Sequence, residues 1–110
     1  MKIPNYQNAV IEKSKIVDYL LNRDHQKGGN KANFLLKNGY TQANWQQLAD
    51  DLKIYHLSKD YFRERDTIYG KRYEIKAEII APNGEKLLLI SAWQIDIEKY
   101  YPRLITVFPD

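Results

Sequence analysis

Near residue 57 the apolar pattern of this chain changes its period, and that change limits the available folds more than any other feature. Upstream, apolar residues recur at helical spacing. Ile16, Val17, Leu20 and Leu21 form one stripe, Ala32, Leu35 and Leu36 a second, and Trp45, Leu48, Leu52 and Tyr55 a third. A repeat of about 3.6 residues is that of a helix burying one face. Downstream, Tyr73, Ile75, Ala77 and Ile79 alternate with Arg72, Glu74, Lys76 and Glu78, the period of a half-buried strand. Helices first and consecutive strands after is the α+β pattern. The expectation is two or three N-terminal helices packed on a four-stranded antiparallel sheet, with residues 1–110 as one domain.

Local signals set the boundaries. Ser14 is placed to N-cap the first helix, and Asn38-Gly39 to stop the second, because glycine accepts the left-handed conformation at a helix end. Ala9-Val10-Ile11 reads as a short extended entry, and residues 61–67 as a charged edge strand. Tyr69-Gly70 marks a turn, and Pro82-Asn83-Gly84 carries the chemistry of a tight hairpin. Residues 86–96 are apolar on both faces (Leu87, Leu89, Trp93 and Ile95 against Leu88, Ile90 and Ala92), which predicts a central strand covered on both sides. Trp93 reads as a core anchor. Pro102 precedes a last strand, Arg103 to Phe108.

Composition removes several chemistries. The chain has no cysteine, so thiolate nucleophiles, disulfides and cysteine-held metals are excluded. Two widely separated histidines make a poor metal site, and neither a metal nor another cofactor is expected. The polar start Met1-Lys2-Ile3-Pro4-Asn5-Tyr6 does not resemble a signal peptide, and no apolar run approaches a membrane span, so a cytoplasmic protein without membrane contact is expected. Net charge is +3, and residues 13–37 hold 6 basic side chains against 2 acidic ones. That local field suits a phosphate-bearing partner such as RNA.

Candidate site residues are polar groups where a core does not need them. His25 lies in a polar loop beside Asp24; an imidazole there suits general acid or base work, or caps a helix. Gly28-Gly29-Asn30-Lys31 opens a helix whose first N–H groups and lysine suit a phosphate, although the spacing is not that of a P-loop. Lys31 is equally readable as a solvated first-turn lysine. Ser91 and Thr106 interrupt apolar strands with hydroxyls that need partners. Arg103, aimed by Pro102, suits bidentate phosphate binding or an ion pair with Glu98 or Asp96. His56 sits at a helix end, where a partly charged imidazole would meet the negative dipole pole.

These pieces resemble a small bacterial domain family found as a stand-alone protein common in cyanobacteria and at the tails of larger toxin-like proteins. The resemblance rests on Ile3-Pro4-Asn5 with Ala9-Val10, His25 with Gly29-x-Lys31-Ala32, and Tyr69-Gly70-x-x-Tyr73. It continues through Pro82-Asn83-Gly84, Ser91-Ala92-Trp93 and Pro102-Arg103-Leu104-Ile105-Thr106. The arrangement is also similar to the barnase–EndoU–colicin–RelE group of metal-independent ribonucleases. That similarity implies RNA cleavage by attack of the 2′-hydroxyl. His25 would be the general acid or base, Lys31 and Arg103 would stabilise the phosphorane, and Thr106 or Ser91 would orient the phosphate. It also implies a small acidic antitoxin-like protein as partner. A non-catalytic interaction module is the competing reading.

Overall fold

The computed structural model describes residues 1–25 and 29–110. Gln26, Lys27 and Gly28, which carry part of the expected polar loop and the expected phosphate contact of Gly28, lie outside the described residues. The helical half comprises a π-helical turn, Lys15–Leu20, then helix α1, Gly29–Lys37, and helix α2, Trp45–Leu52, which runs on into a second π-helical stretch, Lys53–Leu57. Four strands follow: β1 (Arg63–Thr67), β2 (Gly70–Ile80), β3 (Lys86–Asp96) and β4 (Arg103–Pro109). They form one antiparallel sheet in sequence order. The fold is α+β, with the helices in the N-terminal part.

The strand partners follow from the alternation. Tyr73 lies opposite Trp93, Ile75 opposite Ser91, Ala77 opposite Leu89 and Ile79 opposite Leu87, so these residues share one sheet face. That face meets Ile16, Leu20, Leu35, Leu48 and Leu52 from the helices in a single buried cluster. On the other face Ala92 and Gln94 are buried, while Leu88 is 43% exposed and Ile90 is half-buried, so the expected cover on both sides holds for the second half of the strand and is corrected for the first. Apolar content on both faces told the centrality of β3 but not its cover.

Two local signals resolve differently from their expected form. Ser14 has helical backbone angles and makes no capping bond, because the helical winding already begins at Lys13. The β2–β3 connection spans residues 81–85, with a turn closed by Gly84 N–H donating to the Ala81 carbonyl at 2.8 Å. Gly84 alone takes positive φ there; Asn83 is used instead to donate from its side chain to the Asn38 side-chain oxygen at 3.1 Å. The same loop explains Gly39. A Cβ at that position would lie 2.9 Å from the Pro82 side chain, and its φ of 103° disfavours any other residue.

One polar network sits inside the core. The Trp93 indole N–H donates to Ser91 Oγ at 2.8 Å, and Ser91 lies 2.7 Å from His56 Nδ1. Indole can only donate, so the Ser91 proton goes to Nδ1, and Nε2 keeps its hydrogen and donates to the Ala77 carbonyl at 3.0 Å. Burial pushes the His56 pKa down to about 4, against the pull of the Ala77 bond. The expected half-charged histidine at a helix end is therefore corrected: the ring is neutral and wholly buried.

Two outcomes follow for stability. Trp93→Ala should cost about 3–5 kcal/mol in a denaturant titration, since it empties a large core site and orphans the Ser91 acceptor. The unfolded chain protonates His56 near pH 6.5 and the folded chain only near 4. The unfolded state thus binds more protons between these values, and stability, full above the upper value, falls as pH drops through the window. The loss should be on the order of 3 kcal/mol. Melting curves of wild type and His56→Gln across that window check it: the slope should be smaller in the variant.

Candidate anion-binding site at the β4 edge

β4 is an edge strand, and the N-terminal half closes its outer side. Val10 pairs with Arg103 in a short parallel bridge, with Val10 N–H donating to Pro102 O at 2.8 Å and Leu104 N–H to Val10 O at 3.0 Å. Downstream the Lys15–Leu20 turn and α1 pack on β4. In the middle of the strand, Ala92 faces Thr106 and Trp93 faces Leu104, so Ile105 is an inserted residue, a β-bulge. Without it Thr106 would stand opposite Ser91 in the core row. With it Val107 takes that place and Thr106 joins the row of Ala92, where Tyr19 and Lys31 meet its hydroxyl. Bulges commonly re-aim a side chain next to a site.

Thr106 meets two helical side chains. Lys31 Nζ donates to Tyr19 Oη at 2.9 Å and to Thr106 Oγ1 at 3.2 Å, and the two hydroxyls are 3.3 Å apart. The Lys31 ammonium also lies 5.8 Å from the Phe108 ring centroid. His25 meets Tyr19 edge to face, with ring centroids 4.8 Å apart. Lys15, four residues before Tyr19, holds its ammonium 5.4 Å from the tyrosine ring centroid. Lys15, Tyr19, His25, Ile105 and Thr106 line an open cavity of about 390 Å³.

A second cavity, of about 290 Å³, is lined by Val10, Glu12, Ser14, Lys15, Tyr19, Arg103 and Leu104. Lys15 and Tyr19 border both cavities, so the two adjoin. Arg103 is held by Asp96 through Nε at 2.6 Å and Nη2 at 3.2 Å, the ion pair that its position allowed. The Arg103 and Gln94 hydrogen bonds lower the Asp96 pKa, and Asp96 raises that of Arg103.

Of the residues singled out in the sequence, His25, Lys31 and Thr106 thus gather around Tyr19, and Arg103 lies in the adjoining cavity. Gly29 begins α1 two residues before Lys31. Ser91 is not brought there: it is wholly buried in the network with His56 and Trp93. Tyr19 was missed, because it belongs to no alternation or motif, and only its spacing of four from Lys15 marks a shared helix side. Its phenol is perturbed. Burial raises its pKa, but the hydrogen bonds from Lys31 and Thr106 and the charges of Lys31 and Lys15 together outweigh that and lower it. Among the described residues, no group of three or more histidine, aspartate or glutamate side chains could hold a metal, and no helix is long and apolar enough to cross a membrane. An open wall with Lys15, Tyr19 and Thr106, backed by the Lys31 ammonium that bonds both hydroxyls, suits an anion with several oxygens.

Residues 2–110 match the family described as a domain of unknown function, DUF6883. The chain belongs to this family. No curated protein matches it by sequence. Among solved structures the DUF6883 chain is similar to a chain from a contact-dependent growth inhibition toxin–immunity protein complex of Klebsiella pneumoniae 342. The two share 20% identity over 96% of this chain and 97% of that one, with a TM-score of 0.73. At that identity the likeness is one of fold.

The Tyr19 environment predicts its titration. In an NMR titration of ring-labelled protein, Tyr19 should ionise below the ordinary tyrosine range, and Lys31→Met should move it upward. An unchanged Tyr19 titration in that variant would detach the two groups.

Proposed function

We propose that this DUF6883 chain is a toxin-type endoribonuclease that cleaves RNA by attack of a 2′-hydroxyl on the adjacent phosphate, without a metal ion. The observation that carries the reading is the meeting of the Lys31 ammonium with the hydroxyls of Thr106 and Tyr19, two residues that line an open cavity together with His25. A phosphodiester brings an anionic group that such donors can hold, and the charge that grows on its oxygens in the phosphorane is stabilised by fixed cations and hydroxyls. Lys31 and Thr106 take that role. His25, an imidazole on the same wall, transfers a proton. Arg103 and Lys15 border the adjoining cavity, where a neighbouring nucleotide has room. Gly29, at the start of α1, belongs to the same helix opening as Lys31.

The toxin context is supported by the fold likeness to a chain from a toxin–immunity protein complex. A small acidic protein that covers the Lys15, Lys31 and Arg103 side would inhibit by occupying the place of the phosphates. The same likeness supports a second reading, in which the chain binds a protein partner and cleaves nothing.

Cleavage assays on RNA in the presence of a chelator separate the two. His25→Ala should lower the rate by about a hundredfold or more, and Lys31→Ala and Thr106→Val by about ten- to a thousandfold, with circular dichroism unchanged. Arg103→Ala should weaken RNA binding and reduce its salt dependence, with a smaller effect on the chemical step, because it lies in the adjoining cavity. RNA left intact by wild type at all concentrations would reject the enzyme in favour of the binding module.

A further inference from the structure

RNA cleavage through the 2′-hydroxyl needs two proton transfers, one from the attacking hydroxyl and one to the departing 5′-oxygen, and His25 performs only one of them at a time. From the geometry of the β4 edge we infer that Tyr19 is the second acid–base residue and acts as the general base. This inference rests on the ribonuclease reading of the site and adds to it a residue and a role.

The observations are independent of that reading. Tyr19 is the common neighbour of the site: its ring stands 4.8 Å from His25, its oxygen 2.9 Å from Lys31 Nζ and 3.3 Å from Thr106 Oγ1. It lines both adjoining cavities and is half-buried, so the residue borders the place where they meet. The charged groups facing it are Lys15 from its own turn, Lys31 from α1, and Glu12 and Arg103 across the second cavity; His25 faces it from the loop. Lysine can only donate here, so the phenol oxygen accepts that bond, and a charge-assisted bond to an oxygen favours its anionic form. Nothing comparable acts on the buried His56–Ser91 pair, which no substrate can reach.

The reaction balances as follows. The Tyr19 phenolate oxygen takes the proton of the ribose 2′-hydroxyl as that oxygen forms a bond to phosphorus. The bond from phosphorus to the 5′-oxygen breaks, and the 5′-oxygen receives a proton from the His25 imidazolium. The products are a 2′,3′-cyclic phosphate and a free 5′-hydroxyl. Tyr19 then holds one proton more and His25 one fewer, and exchange with water restores both. Lys31 serves twice, holding Tyr19 as the anion before attack and meeting the phosphorane oxygens during it.

Tyr19→Phe keeps the ring against His25 and Lys15 and removes only the oxygen. Three measurements on the full chain test the role. With a minimal RNA substrate, Tyr19→Phe should cut kcat at least about a hundredfold while RNA affinity stays within a few-fold. The wild-type kcat should rise with pH through the ionisation of Tyr19 read by NMR, and that limb should vanish in the variant; a merely structural tyrosine would lower the rate and keep the limb. With a substrate whose leaving 5′-oxygen is replaced by sulfur, which departs unprotonated, His25→Ala should recover most of its loss and Tyr19→Phe none. Wild-type rates in Tyr19→Phe, or its recovery on the sulfur substrate, would overturn the base assignment and leave the ribonuclease reading standing. A wild type that cleaves no RNA would remove both.

Discussion

The outer edge of β4 cannot be left bare, and most of the molecule's arrangement answers that constraint. An edge strand exposes a row of backbone donors and acceptors that invites pairing with another chain. Here Val10 takes up part of that row by bonding to Pro102 and Leu104, and the Lys15–Leu20 turn and α1 pack over the rest. The segment that closes the edge is also the most basic part of the sequence. Covering a strand edge with a cationic helical segment therefore builds a positive concavity without dedicating any extra element to it. The bulge at Ile105 completes the arrangement by delivering a hydroxyl from the strand to the lysine of α1.

The cations around this edge are managed in two ways. Arg103 is neutralised at short range by Asp96, a bidentate pair that fixes the guanidinium plane at the start of the strand. Lys31 and Lys15 have no carboxylate partner among the described residues, and are held instead by hydroxyl oxygens and aromatic faces. Such contacts orient an ammonium without cancelling its charge. The distinction matters for an anion: Arg103 meets it pre-oriented and sharing its charge with Asp96, whereas the lysines meet it without a carboxylate partner. It also explains why the phenol beside the two lysines has its pKa lowered.

How much of this the sequence carried depended on whether a feature had a period. The three helical stripes, the alternation from Tyr73 to Ile79 and the apolar run of β3 are periodic, and they led to the element order and to β3 as a central strand. The helix stop at Gly39 was legible because its left-handed backbone has a residue-type signature. The bulge at Ile105 has none: Leu104, Ile105, Thr106 and Val107 are all good strand formers and do not alternate, so the face of Thr106 could not be counted off. The π-helical winding was equally silent, since Ile16, Val17 and Leu20 suit either winding. Site residues were found where charge or a loop made them conspicuous, as with His25 and Lys31. Tyr19 was hidden by being one of nine tyrosines in a chain where most rings simply pack.

Two polar clusters of nearly the same composition therefore occupy this small protein, and solvent access separates them. His56, Ser91 and the Trp93 N–H lie wholly inside the core, where every bond is satisfied by a neighbour and burial keeps the imidazole neutral. A histidine 2.7 Å from a serine would read as an activated nucleophile if distance were the criterion. Yet the serine donates rather than attacks, and a closed core admits no reactant. At the β4 edge, His25, Thr106 and Tyr19 hold the same kinds of groups around a lysine, but on an open wall. The core network specifies which rows of β2 and β3 face the helices, and so fixes the sheet on which β4 is laid. The edge network is then free to spend its hydrogen bonds on something other than the fold, because the core holds the sheet without it.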